Sequence, residues 1–130
     1  MGKLRACDDL RRNLVNLWTS VITPITLPTW DHIAQLRRDA FRTNTKWTFL
    51  KADHDSAYKQ LPLDPDFAGI TVVALRGPAT SKWHSFFPRA LLFGAVSAVI
   101  HYNCFARALA VLINHTLGIP VINYFDDFGA

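Results

Sequence analysis

Residues 97–117 admit one regular structure. Apolar side chains recur there with the period of an α-helix, Ser97 can cap its start, Gly118 can stop it, and Pro120 forbids continuation. Ile100, Phe105, Leu109, Leu112, Ile113 and Leu117 are its expected buried face. A helix with such a face must lie against something, and the flanking sequence offers strands. Residues 121–124 form a short strand, with Asp126-Asp127 at the turn after it. Upstream, residues 3–8 read as a strand, and Pro24 and Pro28 punctuate a loop. Thr29 caps a helix over about 30–42 that has Ile33, Leu36, Ala40 and Phe41 on one face. An aromatic-rich strand over 47–52 ends at Asp53. Pro62 and Pro65 bracket a turn, and strands over 70–75 and 82–87 flank the hairpin loop Arg76-Gly77-Pro78-Ala79-Thr80. Helices and strands in no strict alternation indicate an α+β domain.

Charge placement narrows the class of partner. All ten acids are Asp, none lies between Asp66 and Asp126, and ten of the 14 Lys and Arg residues stand at or before Lys59. Such a balance suits a polyanion, although on charge alone a solvated basic face is the commoner origin of such a pattern. With 50% hydrophobic residues the chain can build a core. Cys7 and Cys104 have no metal-ligand spacing around them and read as reduced thiols. The five histidines form no HxxxH or HExxH pattern, so no zinc site is expected. The apolar run over 90–100 is too short to span a bilayer, and the N-terminus lacks a signal-peptide core. The chain is therefore expected inside the cell, in cytoplasm or nucleus, with no transmembrane segment and no membrane partner.

The carboxylates carry the chemistry. Asp53 ends one apolar strand and Asp126-Asp127 follow another, so each has a rigid base and an open tip. If the strands are neighbours, three acids meet, and bare they repel. A divalent cation relieves that repulsion, and hard oxygen donors on short side chains suit Mg²⁺. An isolated Asp-Asp pair reads instead as a solvated turn.

The local sequence resembles a known family. Val-Ile-Asn-Tyr-Phe-Asp-Asp-Phe over 121–128 resembles the Tyr-x-Asp-Asp signature of reverse transcriptases, which sits on a β-turn-β hairpin. Lys51-Ala-Asp-His-Asp-Ser-Ala-Tyr-Lys-Gln-Leu-Pro-Leu63 resembles the family's first catalytic motif, in which an aromatic residue follows the metal-binding Asp by five positions. Leu91-Leu92-Phe93-Gly94-Ala95-Val96-Ser97-Ala98 resembles the motif opening the palm helix, and the segment from Lys3 to Arg11 resembles the fingers strand. The four motifs keep the family's order and cover nearly the whole chain.

The resemblance implies a right-hand polymerase palm, an antiparallel sheet backed by helices, with part of the fingers. The fingers would be 1–28 and about 61–96, the palm about 29–60 and 97–130. It implies RNA-directed DNA polymerase activity on a primed RNA or DNA template with deoxynucleoside triphosphates. Asp53, Asp126 and Asp127 would be the catalytic, metal-binding carboxylates for two Mg²⁺ ions, with Mn²⁺ an alternative and Asp127 standing further from the ions. Arg5, assisted by Lys3, would grip triphosphate oxygens. Tyr58 would lie under the sugar and exclude a 2′-hydroxyl, and Phe93 and Gly94 would let the backbone approach nucleotide and template. The likeness stops at Ala130, before the rest of the palm, the primer grip and the thumb, so a fragment of a retrotransposon-like element is expected.

Leu92 and Val99 stand where the family often has proline, Ser56 where retroviral enzymes have an acid, and Phe125 is bulkier than the residue in many relatives. His54 and Asp55 are expected to face solvent, and Trp18, Trp30 and Trp83 to be core or strand-face residues. Two alternatives stay open: a viral-type RNA-dependent RNA polymerase palm, and a non-catalytic nucleic-acid-binding remnant. Oligomeric state is not legible.

Overall fold

A computed structural model describes residues 10, 12, 14–22, 24–44, 46, 48–67 and 71–130. The expected strand at 3–8 lies outside them, as do Lys3 and Arg5. The fold is α+β, with two α-helices and small antiparallel sheets among the described residues. The chain divides into two compact units, Met1–Ser20 with Ser56–Ala98, and Val21–Asp55 with Val99–Ala130.

The second unit holds helix α1 (Trp30–Arg42), strand β1 (Lys51–Asp53) and most of helix α2 (Val96–Leu117), followed by strands β4 (Ile122–Tyr124) and β5 (Asp127–Gly129). Helix α1 starts where Thr29 predicts, because the Thr29 N–H donates to His32 Nδ1 at 3.1 Å and so satisfies one amide at the helix entrance. Helix α2 ends as its Gly predicts: Gly118 takes φ 64, and its N–H donates to the Asn114 carbonyl at 3.1 Å. Asn114 then joins the helix to the coming strand. Its Oδ1 accepts from the Val121 N–H at 2.6 Å and its Nδ2 donates to the Val121 carbonyl at 3.2 Å. The chain is thereby aimed into a three-stranded sheet of order β1-β5-β4, antiparallel throughout.

The buried face of α2 differs from the expected one. Tyr102, Ala106 and Ala110, four residues apart, are buried together with Asn103, whereas Phe105, Leu112 and Leu117 are exposed and Ile100, Leu109 and Ile113 half-buried. Alanines on the inner line leave room for neighbouring backbone beside Tyr102, and Phe105, Leu112 and Leu117 turn outward. Asn103 is tolerated inside because its Nδ2 donates to the Val99 carbonyl at 2.9 Å. On α1, Ile33, Leu36 and Ala40 are half-buried as their spacing suggests, but Phe41 is exposed. Trp18, Trp30 and Trp83 are exposed too, so none is a core residue; Trp83 does lie on a strand. By length and composition alone α2 could cross a membrane, with a mean hydropathy of 1.6. The uncharged run at 90–100 understates this apolar stretch, since a helix tolerates a single Arg107 within it.

The first unit contains the hairpin of β2 (Val73–Arg76) and β3 (Trp83–Phe86), each shorter than its sequence signal. Gly77 closes its loop, where an added Cβ would stand 2.8 Å from Thr80 Oγ1. A second antiparallel contact sets residues 61–63 against 89–91, through Leu63 N–H to the Arg89 carbonyl at 2.9 Å and Leu91 N–H to the Leu61 carbonyl at 3.0 Å. Ser97 does not cap α2. The helix begins at Val96, whose N–H donates to Asn16 Oδ1 at 3.0 Å, while Asn16 Nδ2 donates to the Gly94 carbonyl at 2.9 Å. A cap supplied from so far along the chain has no local sequence signature.

Candidate functional site

Strand pairing decides which side chains meet. Leu50 and Ala130 exchange both backbone hydrogen bonds, at 2.7 and 2.9 Å, and the His54 N–H donates to the Asp126 carbonyl at 2.9 Å. Hydrogen-bonded and non-hydrogen-bonded pairs alternate along an antiparallel ladder. The pairs between them, Lys51 with Gly129 and Asp53 with Asp127, alternate about Ala52–Phe128, so Asp53 and Asp127 form a non-hydrogen-bonded pair, the kind with the closer side chains. Alternation also puts Lys51, Asp53, Asp127 and Tyr124 on one face of the sheet, and Ala52, Phe128 and Asn123 on the other.

Two carboxylates directly opposite one another destabilise a sheet. Lys51, diagonal to Asp127, offsets part of that cost: its Nζ lies 3.0 Å from Asp127 Oδ1. The hydrogen bond and the charge of Asp127 hold the ammonium above its ordinary pKa. Desolvation opposes this, and the charges of Asp53 and Asp126 add to it. Three carboxylates against one ammonium leave an excess of two negative charges at the end of the sheet.

Tyr124 pairs with Asp127, so Phe125 and Asp126 alone make the turn of the hairpin. Phe125 sits at φ 53, a left-handed conformation that costs a bulky residue about 1–2 kcal/mol and that Gly or Asn adopts more readily. Its ring packs edge-on against Tyr124 at 5.1 Å. Asp126 is thereby held at the apex, one residue from the Asp53–Asp127 pair.

His54 is not a solvent-facing loop residue. It is half-buried, with Nδ1 2.8 Å from the hydroxyl of fully buried Tyr102. Its ring centroid lies 5.8 Å from Tyr102, 6.0 Å from Phe105 and 6.5 Å from Phe128. Through its backbone N–H it also holds the Asp126 carbonyl, so one residue links the carboxylate end of the sheet to α2. The signal for this contact is Tyr102 itself: a phenol on a line shared with alanines needs a hydroxyl partner once buried. Asp55 is exposed, as expected.

The other expected residues lie in the first unit. Tyr58, on the turn of 3₁₀-helix Ala57–Gln60, is half-buried and meets Phe93 edge-on at 5.5 Å. Gly94 follows at φ 109, which side-chain-bearing residues rarely adopt. Tyr58 and Phe93 are thus in contact, Asp53, Asp126 and Asp127 share one end of a sheet, and Lys3 and Arg5 lie outside the described residues.

The resemblance implies a divalent ion. As the side chains lie, no three His, Cys, Asp or Glu among the described residues are gathered closely enough to hold one. The donor set fits by chemistry and by charge: hard oxygen ligands only, on the register-paired ends of two strands, with two negative charges uncompensated. Drawing them together takes rotation of short exposed or half-exposed side chains and release of Asp127 by Lys51. No protein-family model matches this chain, and no curated protein matches it.

Proposed function

We propose that the chain is the fingers-and-palm part of a reverse transcriptase of a retrotransposon-like element, which adds deoxynucleotides to a primer 3′-hydroxyl on an RNA or DNA template. The observation that carries this reading is the pairing of Asp53 with Asp127, with Asp126 at the apex of the hairpin. Two motifs far apart in sequence thereby supply acids to one edge. The contact of His54, itself packed on Phe128, with Tyr102 and Phe105 supports a palm, since it sets a helix toward one face of the sheet while the acids occupy the other. The order in which the chain enters its two units supports the interleaving of fingers and palm.

Asp53, Asp126 and Asp127 would hold two Mg²⁺ ions, or Mn²⁺. Such ions, when bound, acidify the primer hydroxyl and neutralise charge on the triphosphate and the leaving pyrophosphate. The chain's own residues position the reactants. Tyr58, braced by Phe93, excludes a 2′-hydroxyl from the sugar site. Gly94, lacking a side chain, lets the backbone come close to the nucleotide, and Lys3 and Arg5 grip the triphosphate. Such a protein works inside the cell, where templates and nucleotides are.

The test is Mg²⁺-dependent addition of one deoxynucleotide to a primer–template. Asp126→Asn should lower it by on the order of 10³-fold, because the metal site supplies most of the charge stabilisation. Undiminished addition by Asp126→Asn would overturn the assignment.

A further inference from the structure

Helix α1 presents to solvent a face that interleaves large aromatics with arginines. At helical spacing it carries Trp30, Ala34, Arg37, Arg38, Phe41 and Arg42. Trp30 is 83% and Phe41 77% exposed, and the last five of these residues line an open concavity of ≈ 470 Å³. The two aromatics stand about 16 Å apart along the helix axis, at 1.5 Å per residue, with guanidinium groups between and beside them.

Those guanidinium groups keep their charge available. Arg37 has no hydrogen-bond or ion-pair partner among the described residues. Arg38 donates to the neutral amide oxygen of Gln35, at 3.2 Å from Nε and 2.9 Å from Nη2. Arg42 approaches Asp39 only at 3.8 Å, between exposed side chains, and Asp39 is already engaged by Gln35 Nε2 at 2.9 Å. A large aromatic left this exposed contributes nothing to a core, and cations beside it suit an anionic partner with flat faces.

We propose that this face binds single-stranded nucleic acid, with the guanidinium groups on phosphates and Trp30 and Phe41 stacked on unpaired bases. Stacking platforms interleaved with cations are the physical requirement for gripping a strand without reading its sequence. The proposal goes beyond the carboxylate site: it needs no metal and no catalysis, and it concerns a different element of the chain.

Fluorescence anisotropy tests it, with the full chain titrated into labelled oligo-dT and oligo-U of about 20 nucleotides, enough to cover one site, in EDTA. Arg37→Gln with Arg38→Gln should reduce the slope of log K against log salt by about 1.4, the share of two phosphate contacts on a single strand. Phe41→Leu should weaken binding about tenfold, and Phe41→Trp should restore it, because Leu keeps apolar bulk without a stacking face. Gln and Leu are good helix formers, and circular dichroism checks that α1 persists. Lys82→Gln with Arg107→Gln, which removes the same charge elsewhere, should change the slope less. Overturning results are absence of binding by the wild-type chain, equal slopes for the two charge-matched pairs, or unchanged binding by Phe41→Leu. Loss of self-association in Phe41→Leu with nucleic-acid binding intact would assign the face to a protein contact and also overturn the proposal.

Discussion

Replacing Tyr102 by Phe removes one oxygen from a side chain that is 0% exposed. That oxygen lies 2.8 Å from His54 Nδ1, in a partly buried bond. A net loss of about 0.5–1.5 kcal/mol follows from the bond itself, rising toward about 2 kcal/mol if the imidazole nitrogen finds no water. His54→Ala costs more, since its ring also packs on Phe105 and Phe128. In a double-mutant cycle the two substitutions should therefore couple by about 1 kcal/mol. Urea unfolding followed by far-UV circular dichroism measures it, and in a thermal scan Tyr102→Phe should lower the midpoint by roughly 3–8 °C. A coupling within about 0.3 kcal/mol of zero would refute the link between His54 and α2. The consequence for function is that the same His54 holds the Asp126 carbonyl, so Tyr102→Phe should also loosen the turn that presents Asp126.

Two further outcomes follow from the site. Because the folded chain raises the pKa of Lys51, its ion pair stabilises fully below the ordinary lysine value and is lost as pH rises through the raised one. The midpoint difference between wild type and Lys51→Met should accordingly shrink as pH becomes strongly alkaline; a difference that stays constant through that range would contradict the pairing. Tyr58→Val should raise the ratio of ribonucleotide to deoxynucleotide incorporation by about tenfold or more while leaving deoxynucleotide addition measurable, and an unchanged ratio would make Tyr58 a packing residue.

The parts of the fold legible in the sequence are those fixed by local chemistry. Thr29 marks the start of α1, and Gly118 with Pro120 marks the end of α2. The strand ends at Asp53 and Tyr124 are legible for the same reason, since each follows an apolar run. What escapes is whatever depends on distant neighbours. Apolar periodicity places Phe105, Leu112 and Leu117 inside α2, because hydrophobicity is all that a periodic pattern reports. The structure buries Tyr102, Ala106 and Ala110 instead, a line whose phenol finds its partner in distant His54. The cap from Asn16 and the partner of His54 are likewise long-range, and neither has a motif. The acids of the site were readable as residues, while their meeting required the register of β1 on β5.

The convergence of those acids on one ion is most directly tested by Mn²⁺ uptake, followed by electron paramagnetic resonance of the free ion as protein is added. The wild-type chain should bind Mn²⁺ competitively with Mg²⁺, and Asp53→Asn or Asp126→Asn should each weaken uptake by about tenfold or more while circular dichroism stays unchanged. Uptake by both variants at the wild-type level would contradict a shared carboxylate site.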